Sequence, residues 1–351
     1  MPNTALELKK KLVARQTPLR RIDVAELSIR RKRSGEGFTY VTENGRALRD
    51  TRTLARIKRL AVPPAYQEVL YAADPGAHIQ AVGRDSAGRT QYRYHPEWDK
   101  VREQRKARHL ARLIRLLPQI RKALSRNLRG RDITREYVLA AVIDLIACTA
   151  IRPGSEQYAR DHGTRGAATL LQSDVVTSGN NIALSFRGKG GKHIELEVRS
   201  PRLARVLKRL KALPGKRLFK YKSPDGAVIN ARRRDVNSFL QEIGSPQISL
   251  KDFRTMTACA RALEHLSTLE PRSSERGRRR QVNEALVAVS EELANTPAIC
   301  RKSYVHNVVV KAFETGSLTK LSRHAGRSPG GGERMLKAVL EMSTPARTTA
   351  S

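Results

Sequence analysis

The stretch EYVLAAVIDLIACTAI, residues 136–151, is apolar around almost its whole circumference when it is drawn as a helix. A helix of that kind has no polar stripe for solvent, so it is predicted to lie buried in the centre of a domain. Residues 98–120, shortly before it, repeat apolar side chains at helical spacing and carry arginine and lysine on the other face. The two segments together predict a mainly helical domain built around residues 136–151.

The sequence after this helix predicts a β-hairpin and then further helices. IALSFRG and HIELEV alternate apolar and polar residues on either side of the turn KGGK, a pattern typical of a hairpin at residues 182–198. Helical patterns follow at residues 201–213, 234–243, 251–267 and 281–294. The hairpin is therefore interpreted as an insertion in a helical domain.

The sequence before residue 98 has the pattern of short strands. Alternating segments separated by turn residues occur at 27–41, 68–73, 78–84 and 90–95, with one short helix that ends at Pro63-Pro64. The predicted fold class is α+β, with a small N-terminal β-sheet domain before the helical domain. The predicted boundaries are a flexible basic arm at 1–25, the β-rich domain at 26–97, the helical domain at 98–321 and a flexible C-terminal tail with at most one short helix at 322–351.

Net charge is the strongest signal in the composition. The 351 residues include 68 Lys and Arg against 33 Asp and Glu, which gives a formal net charge of +35. Thirteen of the basic residues lie in 100–135 and nine in 202–222. Such a surface favours a polyanion, and we expect double-stranded DNA, because bound phosphates release counterions. No membrane partner is expected, since no helix pairs these charges with a Trp- or Phe-rich face.

Other features of the composition bear on the compartment and on cofactors. No run of about 18 apolar residues is present to span a bilayer. The first residues, MPNTALELKKKLVARQ, lack the apolar centre of a secretory signal. The three cysteines are scattered, and the eight histidines show no metal-ligand spacing. We therefore expect a cytoplasmic protein with no metal site and no cofactor.

One tyrosine raises the question of chemistry. In LANTPAICRKSYVH, residues 293–306, Tyr304 follows an arginine and a lysine at the predicted end of a helix. A phenol is a weak nucleophile until neighbouring groups activate it. Transfer of a DNA phosphate to a hydroxyl also needs cations on the non-bridging oxygens, a proton donor and alignment. Residues of suitable type are Arg152 after the buried helix, Lys189 in the hairpin turn, Arg254 at the start of a helical segment and Asn295 in a turn.

Each of these residues has a more ordinary interpretation when it is taken singly. In a chain with 68 basic residues, one arginine is most often a solvated or phosphate-positioning group. A single tyrosine is most often a packed aromatic residue, and RGKGGK lacks the spacing of a Walker phosphate loop. Cys300, four residues before Tyr304, is interpreted as an inert core cysteine.

The whole set, taken in chain order, resembles a known active site. The type IB DNA topoisomerases, in their bacterial and poxvirus-like branch, have matching catalytic residues at Arg152, Lys189, Arg254, Asn295 and Tyr304. The resemblance extends from about Ile29 to about Leu318 and implies the fold that these enzymes share with tyrosine recombinases. Its collinear blocks are VPPAYQEV, AHIQAVGRDSAGRTQYRYHPEW, IRPGSEQYARDHGTRGAATL, FRGKGGKH, LPGKRLF, DVNSFL, KDFRT and LANTPAICRKSYVH.

The resemblance implies a role for each residue of the set. Tyr304 would attack a DNA phosphodiester and form a 3′-phosphotyrosyl link, so that positive and negative supercoils relax before the strand is resealed. Arg152 and Arg254 would clamp the non-bridging oxygens, and Asn295 would hydrogen-bond one of them where poxvirus members have histidine. Lys189, alone or with Arg152, would protonate the leaving 5′-oxygen. Neither ATP nor a metal ion is implied.

The resemblance also implies contacts with DNA outside the catalytic set. Gln91, Tyr92 and Tyr94 match family residues that touch DNA from the opposite face. Alternation puts both tyrosines on one face of a strand, where they could instead form an aromatic pair in the sheet core. A monomer that clamps the duplex, in the bacterial nucleoid, is the expected form. The remaining predicted DNA contacts are Arg84, Lys192 and Lys251.

Two alternatives and three departures from the family pattern stay open. A tyrosine site-specific recombinase shares the fold, but recombinases usually carry histidine where this chain has Lys251. A basic DNA-binding protein with a decayed active site is the non-enzymatic alternative. Pro153 after Arg152, the small residues of GAATL and Met256 are unusual for the family. They bear on efficiency and on DNA-site preference more than on the type of reaction.

Overall fold

The computed structural model describes residues 19–325 and 330–343. The chain forms two compact units, Met1–Gln104 and Arg105–Ser351. The division therefore falls inside the helix that begins at Trp98, whereas the sequence suggested a boundary at the start of that helix. Most of the predicted N-terminal arm lies outside the described residues, as does the end of the predicted tail.

The first unit is a five-stranded antiparallel sheet with one helix, as the alternating segments predicted. Helix α1 (Thr51–Arg59) begins after Asp50, whose carboxylate accepts a hydrogen bond from the Thr53 N–H. The strand order is β2-β1-β3-β4-β5, so β5 lies at an edge of the sheet. The strands are β1 (Ile29–Ser34), β2 (Gly37–Val41), β3 (Gln67–Tyr71), β4 (Ile79–Arg84) and β5 (Thr90–Tyr94).

Residues 19–25, predicted to belong to a flexible arm, are part of this first unit. Ile22 is buried, and its N–H donates to Nδ1 of His78 at 3.2 Å. Arg20 forms ion pairs with Asp74 at 2.9 Å and with Glu26 at 2.8 Å. The prediction is wrong for these residues, because a single buried isoleucine in a polar segment gives no periodic signal.

The second unit is mainly helical and is built around helix α3 (Arg135–Thr149). Every residue from Tyr137 to Ile146 is buried, as the apolar pattern of this segment predicted. No helix within the described ranges 19–325 and 330–343 has the length and apolar character needed to cross a membrane. The other helices are α2 (Trp98–Asn127), α4 (Glu156–His162), α5 (Pro201–Lys211), α6 (Arg233–Ile243), α7 (Leu250–Ser267), α8 (Glu275–Glu292), α9 (Pro297–Ser303), α10 (Asn307–Glu314), α11 (Ser317–Ala325) and α12 (Gly331–Ser343).

Two small antiparallel sheets complete the second unit. The predicted hairpin is confirmed as β7 and β8, which pair from Asn181↔Arg199 to Arg187↔His193. A third strand, β6, joins β7 and was not predicted, because four residues are too few to show alternation. The strands are β6 (Val175–Ser178), β7 (Asn181–Arg187) and β8 (His193–Arg199) in one sheet, and β9 (Lys220–Lys222) and β10 (Val228–Asn230) in the other.

The C-terminal tail predicted at 322–351 contains a packed helix. In α12, the side chains of Met335, Leu336, Val339 and Leu340 are buried in the same hydrophobic core as α7. The Gly332 N–H donates to the Glu264 carboxylate at 3.1 Å. The prediction of a flexible tail is therefore wrong for residues 331–343. The glycine-rich sequence before them gave no indication that the short helix would pack into the core.

We predict that α12 contributes to the stability of the second unit. Leu336→Ala should lower the free energy of unfolding by about 2–5 kcal/mol, because it leaves a cavity in a packed core. Urea denaturation measures this change. Lys337→Ala, at the next and solvent-exposed position, is the control and should change the free energy by less than about 0.5 kcal/mol. Equal stability of the two variants would show that α12 is not part of the core.

Candidate active site

Arg152 is placed by the end of the buried helix α3. Ala150 caps that helix in the left-handed conformation, with φ 51°, and turns the chain toward a loop. The carbonyl oxygen of Arg152 accepts a hydrogen bond from the Ala167 N–H at 2.8 Å. A Cβ on Gly166 would lie 2.4 Å from the same oxygen, so only glycine allows this close approach. Arg152 is thus half-buried on a tightly packed loop.

Arg254 lies on α7 and is 3 % exposed. Its guanidinium donates hydrogen bonds to the carbonyl oxygens of Ala150 and Leu293, which end α3 and α8. Its Nε is buried and has no hydrogen-bond partner in the described part of the chain. Burial, followed by the nearby charge of Arg152, lowers the pKa of the Arg254 guanidinium from its usual value. The guanidinium therefore joins two helix ends, and its Nε–H has no partner among the described residues.

Asn295 lies two residues beyond Leu293 and reaches Arg152. The preceding residue, Ala294, is also left-handed, with φ 47°. The Asn295 Oδ1 accepts a hydrogen bond from Nη2 of Arg152 at 2.5 Å. Its Nδ2 is buried without a hydrogen-bond partner among the described residues. Arg254 and Asn295 thus each hold a buried, unused N–H donor.

Tyr304 ends the short helix α9 and is 9 % exposed. Its ring centroid lies 5.2 Å from the guanidinium carbon of Arg254 and 6.0 Å from Nζ of Lys251. The Cys259 thiol donates to the carbonyl oxygen of Tyr304 at 3.3 Å and accepts from the His306 N–H at 3.3 Å. The Cys259 thiol therefore fixes the backbone that follows the tyrosine ring, and two cations lie beside that ring.

Lys189 reaches the same region from the turn between β7 and β8. Gly190 and Gly191 have φ of 75° and 76°, which allows the tight turn after the lysine. Lys189 is exposed and makes no hydrogen bond or ion pair within residues 19–325 and 330–343. Lys192, on the other side of the turn, donates to the carbonyl oxygen of Asn295 at 3.4 Å.

One small pocket joins these groups, with a volume of about 120 Å³. Arg152, Lys189 and Arg254 line it, and Asn295 and Tyr304 contact its two arginines. The structure thus brings all five sequence-predicted residues together. The sequence analysis missed further residues of the pocket wall, since no motif marks them. They include Arg165, His193, Glu291 and Glu292.

The predicted DNA contacts of the first unit lie on and beside its edge strand β5. Tyr92 and Tyr94 are 42 % and 41 % exposed, and their rings stack at 5.9 Å between centroids. The alternative that they form a pair in the sheet core is therefore wrong. The Gln91 side chain donates to Asp85 at 2.9 Å, and Arg84 is ion-paired with Glu68 at 2.7 Å.

Comparison with known proteins identifies the class. Residues 96–324 match the family model for the catalytic core of eukaryotic DNA topoisomerase I, and residues 37–85 match that for the N-terminal domain of bacterial DNA topoisomerase IB. A DNA topoisomerase 1B of Acanthamoeba polyphaga mimivirus is 30 % identical over 82 % of this chain and 87 % of its own length. The chain belongs to the type IB DNA topoisomerase family.

More distant likenesses extend the comparison. The DNA topoisomerase 1B of Vaccinia virus (strain Copenhagen) is 24 % identical over 66 % of this chain and 71 % of its own length. A solved structure of the XerH site-specific recombinase bound to difH is 14 % identical, with a TM-score of 0.34. That match covers 57 % of this chain and about half (52 %) of the recombinase chain. A likeness at this score supports no conclusion about function.

The geometry predicts that Arg254 and Lys189 differ in their effect on stability. Arg254→Ala leaves two buried carbonyl oxygens without donors, each at a cost of about 1–3 kcal/mol. Lys189→Ala removes an exposed side chain and should change the free energy of unfolding by less than about 0.5 kcal/mol. Urea denaturation of both variants measures the difference. Unchanged stability of Arg254→Ala would contradict the bonds to Ala150 and Leu293.

Proposed function

We propose that this protein relaxes supercoiled DNA by cutting one strand through a 3′-phosphotyrosyl bond at Tyr304. The observation that carries the proposal is that Nε of Arg254 and Nδ2 of Asn295, two of four such buried donors, have no hydrogen-bond partner among the described residues. Buried donors are rarely left without partners. A DNA phosphate beside the tyrosine ring would satisfy both, and the guanidinium groups of Arg152 and Arg254 favour an anion there.

The proposed chemistry uses each of the five groups once. The Tyr304 oxygen attacks the phosphorus and gives its proton to water, while the bond from phosphorus to the 5′-oxygen breaks. Arg254, Arg152 and Asn295 stabilise the charge on the non-bridging oxygens. Lys189 protonates the departing 5′-oxygen, since an alkoxide is a poor leaving group. Its ammonium has no partner among the described residues, which leaves it able to reach the DNA.

The proposed cycle requires no external energy source. The phosphotyrosyl bond retains the energy of the phosphodiester, so the 5′-hydroxyl can attack it and reseal the strand. Between the two steps the free duplex end rotates, in whichever direction relieves the torsion. Positive and negative supercoils should therefore both relax without ATP and without a metal ion.

Double-stranded DNA is the proposed partner of both units. The net charge of +35 supports binding to phosphate. In the first unit the exposed Tyr92 and Tyr94 support contact with DNA, and we retain Gln91 and Arg84 beside them as proposed contacts. In the second unit Lys192 and Lys251 lie beside Asn295 and Tyr304. We propose that a monomer clamps the duplex, in a bacterial cytoplasm, and the match to a bacterial N-terminal domain supports that origin.

Relaxation of a plasmid is the direct test of this proposal. In EDTA and without nucleotide, the protein should convert positively and negatively supercoiled plasmids to a distribution of relaxed topoisomers, as seen on agarose gels. Tyr304→Phe is the control, which should bind DNA and relax nothing. Strand exchange between paired sites, without relaxation of a plasmid that lacks them, would favour a tyrosine recombinase. DNA binding without relaxation would favour a non-catalytic protein.

A second prediction concerns the proton donor. Lys189→Ala should slow cleavage by about 10²–10⁴-fold, as is typical for loss of a general acid. A substrate with sulfur in place of the 5′-bridging oxygen should restore the rate, because a thiolate leaves without protonation. Arg254→Ala should stay slow on the sulfur substrate, since its charge serves the non-bridging oxygens.

Lys192, on the same turn, is the competitor for this role. Its contact with the Asn295 carbonyl suggests a positioning function instead. Single-turnover cleavage rates of Lys192→Ala on both substrates decide between the two lysines. Rescue of Lys192→Ala by sulfur, without rescue of Lys189→Ala, would transfer the acid role to Lys192.

A further inference from the structure

A three-residue segment that begins at Arg165 lies between two elements of the active site. The Arg165 N–H donates to the carbonyl oxygen of Arg187 at 2.7 Å, and Arg187 ends β7 two residues before Lys189. The Ala167 N–H donates to the carbonyl oxygen of Arg152 at 2.8 Å. The segment is therefore hydrogen bonded both to the base of the lysine hairpin and to the arginine loop.

The side chain of Arg165 fixes this segment to the same sheet. Its Nε lies 2.7 Å from Oδ2 of Asp174, and its Nη2 donates to Oδ1 at 2.8 Å. Asp174 is 4 % exposed and directly precedes β6, the strand that pairs with β7. The Nε–H is not aligned for a hydrogen bond, so the pair consists of one hydrogen bond and a second short N···O contact. An ion pair of this kind with a buried carboxylate still restricts the movement of both side chains. Arg165 thus holds the start of β6 through its side chain and the end of β7 through its backbone.

Gly166, the next residue, packs the segment closely against the loop of Arg152. A Cβ on Gly166 would lie 2.4 Å from the carbonyl oxygen of Arg152 and 2.5 Å from the backbone nitrogen of Gly154. The position of the hairpin base is therefore set directly against the loop of Arg152. Lys189 itself has no internal partner within the described residues, so its placement depends on this base.

We propose that Arg165, held by Asp174, is a positioning residue for proton transfer by Lys189. The proposal rests on the proposed strand cleavage, and it adds a residue that carries none of the five catalytic roles. Arg165 lines the active-site pocket, but the carboxylate of Asp174 compensates its charge and accepts a hydrogen bond from its Nη2. Its Nη1 donates to the carbonyl oxygen of Gly163 at 3.5 Å, and its Nε makes no hydrogen bond within the described residues. The compensated charge and the contacts with the sheet favour a role in orienting the hairpin.

The test compares cleavage of an ordinary duplex and of the same duplex with sulfur at the 5′-bridging position. Arg165→Ala and Asp174→Asn should each slow single-turnover cleavage of the ordinary duplex about 10- to 100-fold, because a displaced catalytic group loses alignment. Both variants should cleave the sulfur duplex at nearly the unmutated rate. Arg165→Lys keeps the charge but loses the planar guanidinium, so it should show a smaller defect that sulfur also removes.

Arg202→Ala is the matched control. It breaks another short arginine–aspartate pair, at 2.5 Å to Asp144, whose carboxylate is 5 % exposed and outside the active-site pocket. The control should unfold at lower urea concentration with an unchanged ratio of cleavage rates on the two duplexes. That result separates loss of stability from loss of proton delivery.

Two outcomes would overturn the positioning role alone, and a third would overturn the proposed function together with it. A defect of Arg165→Ala that persists on the sulfur duplex would indicate direct binding of a phosphate. An unimpaired Asp174→Asn would show that the ion pair does not matter, whether or not Arg165→Ala folds. If the unmutated chain forms no covalent complex with either duplex, the proposed function itself fails. Normal cleavage by the unmutated chain without sulfur rescue of the variants overturns the positioning role alone.

Discussion

The buried guanidinium of Arg254 is the group on which the active centre depends. A charge removed from water is costly unless hydrogen bonds compensate it, and here the carbonyl oxygens of Ala150 and Leu293 do so. These carbonyls end two helices, and each is followed two residues later by a candidate site residue, Arg152 or Asn295. One arginine therefore fixes the places of two further groups for which we propose phosphate binding, and it contacts the ring of Tyr304 as well.

The hydrogen bonds of Arg254 to two helix ends also account for the strained backbone conformations at the site. Ala150 and Ala294 adopt positive φ, a conformation that costs a non-glycine residue about 1–3 kcal/mol and persists only when its surroundings fix it. Both lie at the helix ends that Arg254 joins. Lys189 is not held in this way, because it lies on a glycine-containing turn and has no partner in the described part of the chain. In the proposed function, the centre thus combines a preorganised anion-binding group with one lysine whose reach depends on the base of its hairpin.

Much of this arrangement could be predicted from the sequence, and the rest could not for a physical reason. The apolar pattern of residues 136–151 indicated the central helix, and collinear blocks indicated the five site residues. The bonds of Arg254 to Ala150 and the pair of Arg165 with Asp174 leave no local pattern, since the first joins positions 104 apart. The packing of helix α12 was not predicted, because its burial depends on a partner helix, which periodicity alone does not reveal.

The proposed function requires that Tyr304 becomes bonded to the 3′ end of a cut DNA strand. A nicked duplex that loses its short 5′-hydroxyl fragment after cleavage would trap this bond. Protease digestion and mass spectrometry would then identify the linked residue and the linked DNA end. We predict one DNA-bearing peptide, joined through Tyr304 to a 3′-phosphate. Linkage through another residue, linkage to a 5′ end, or no covalent product would contradict the account.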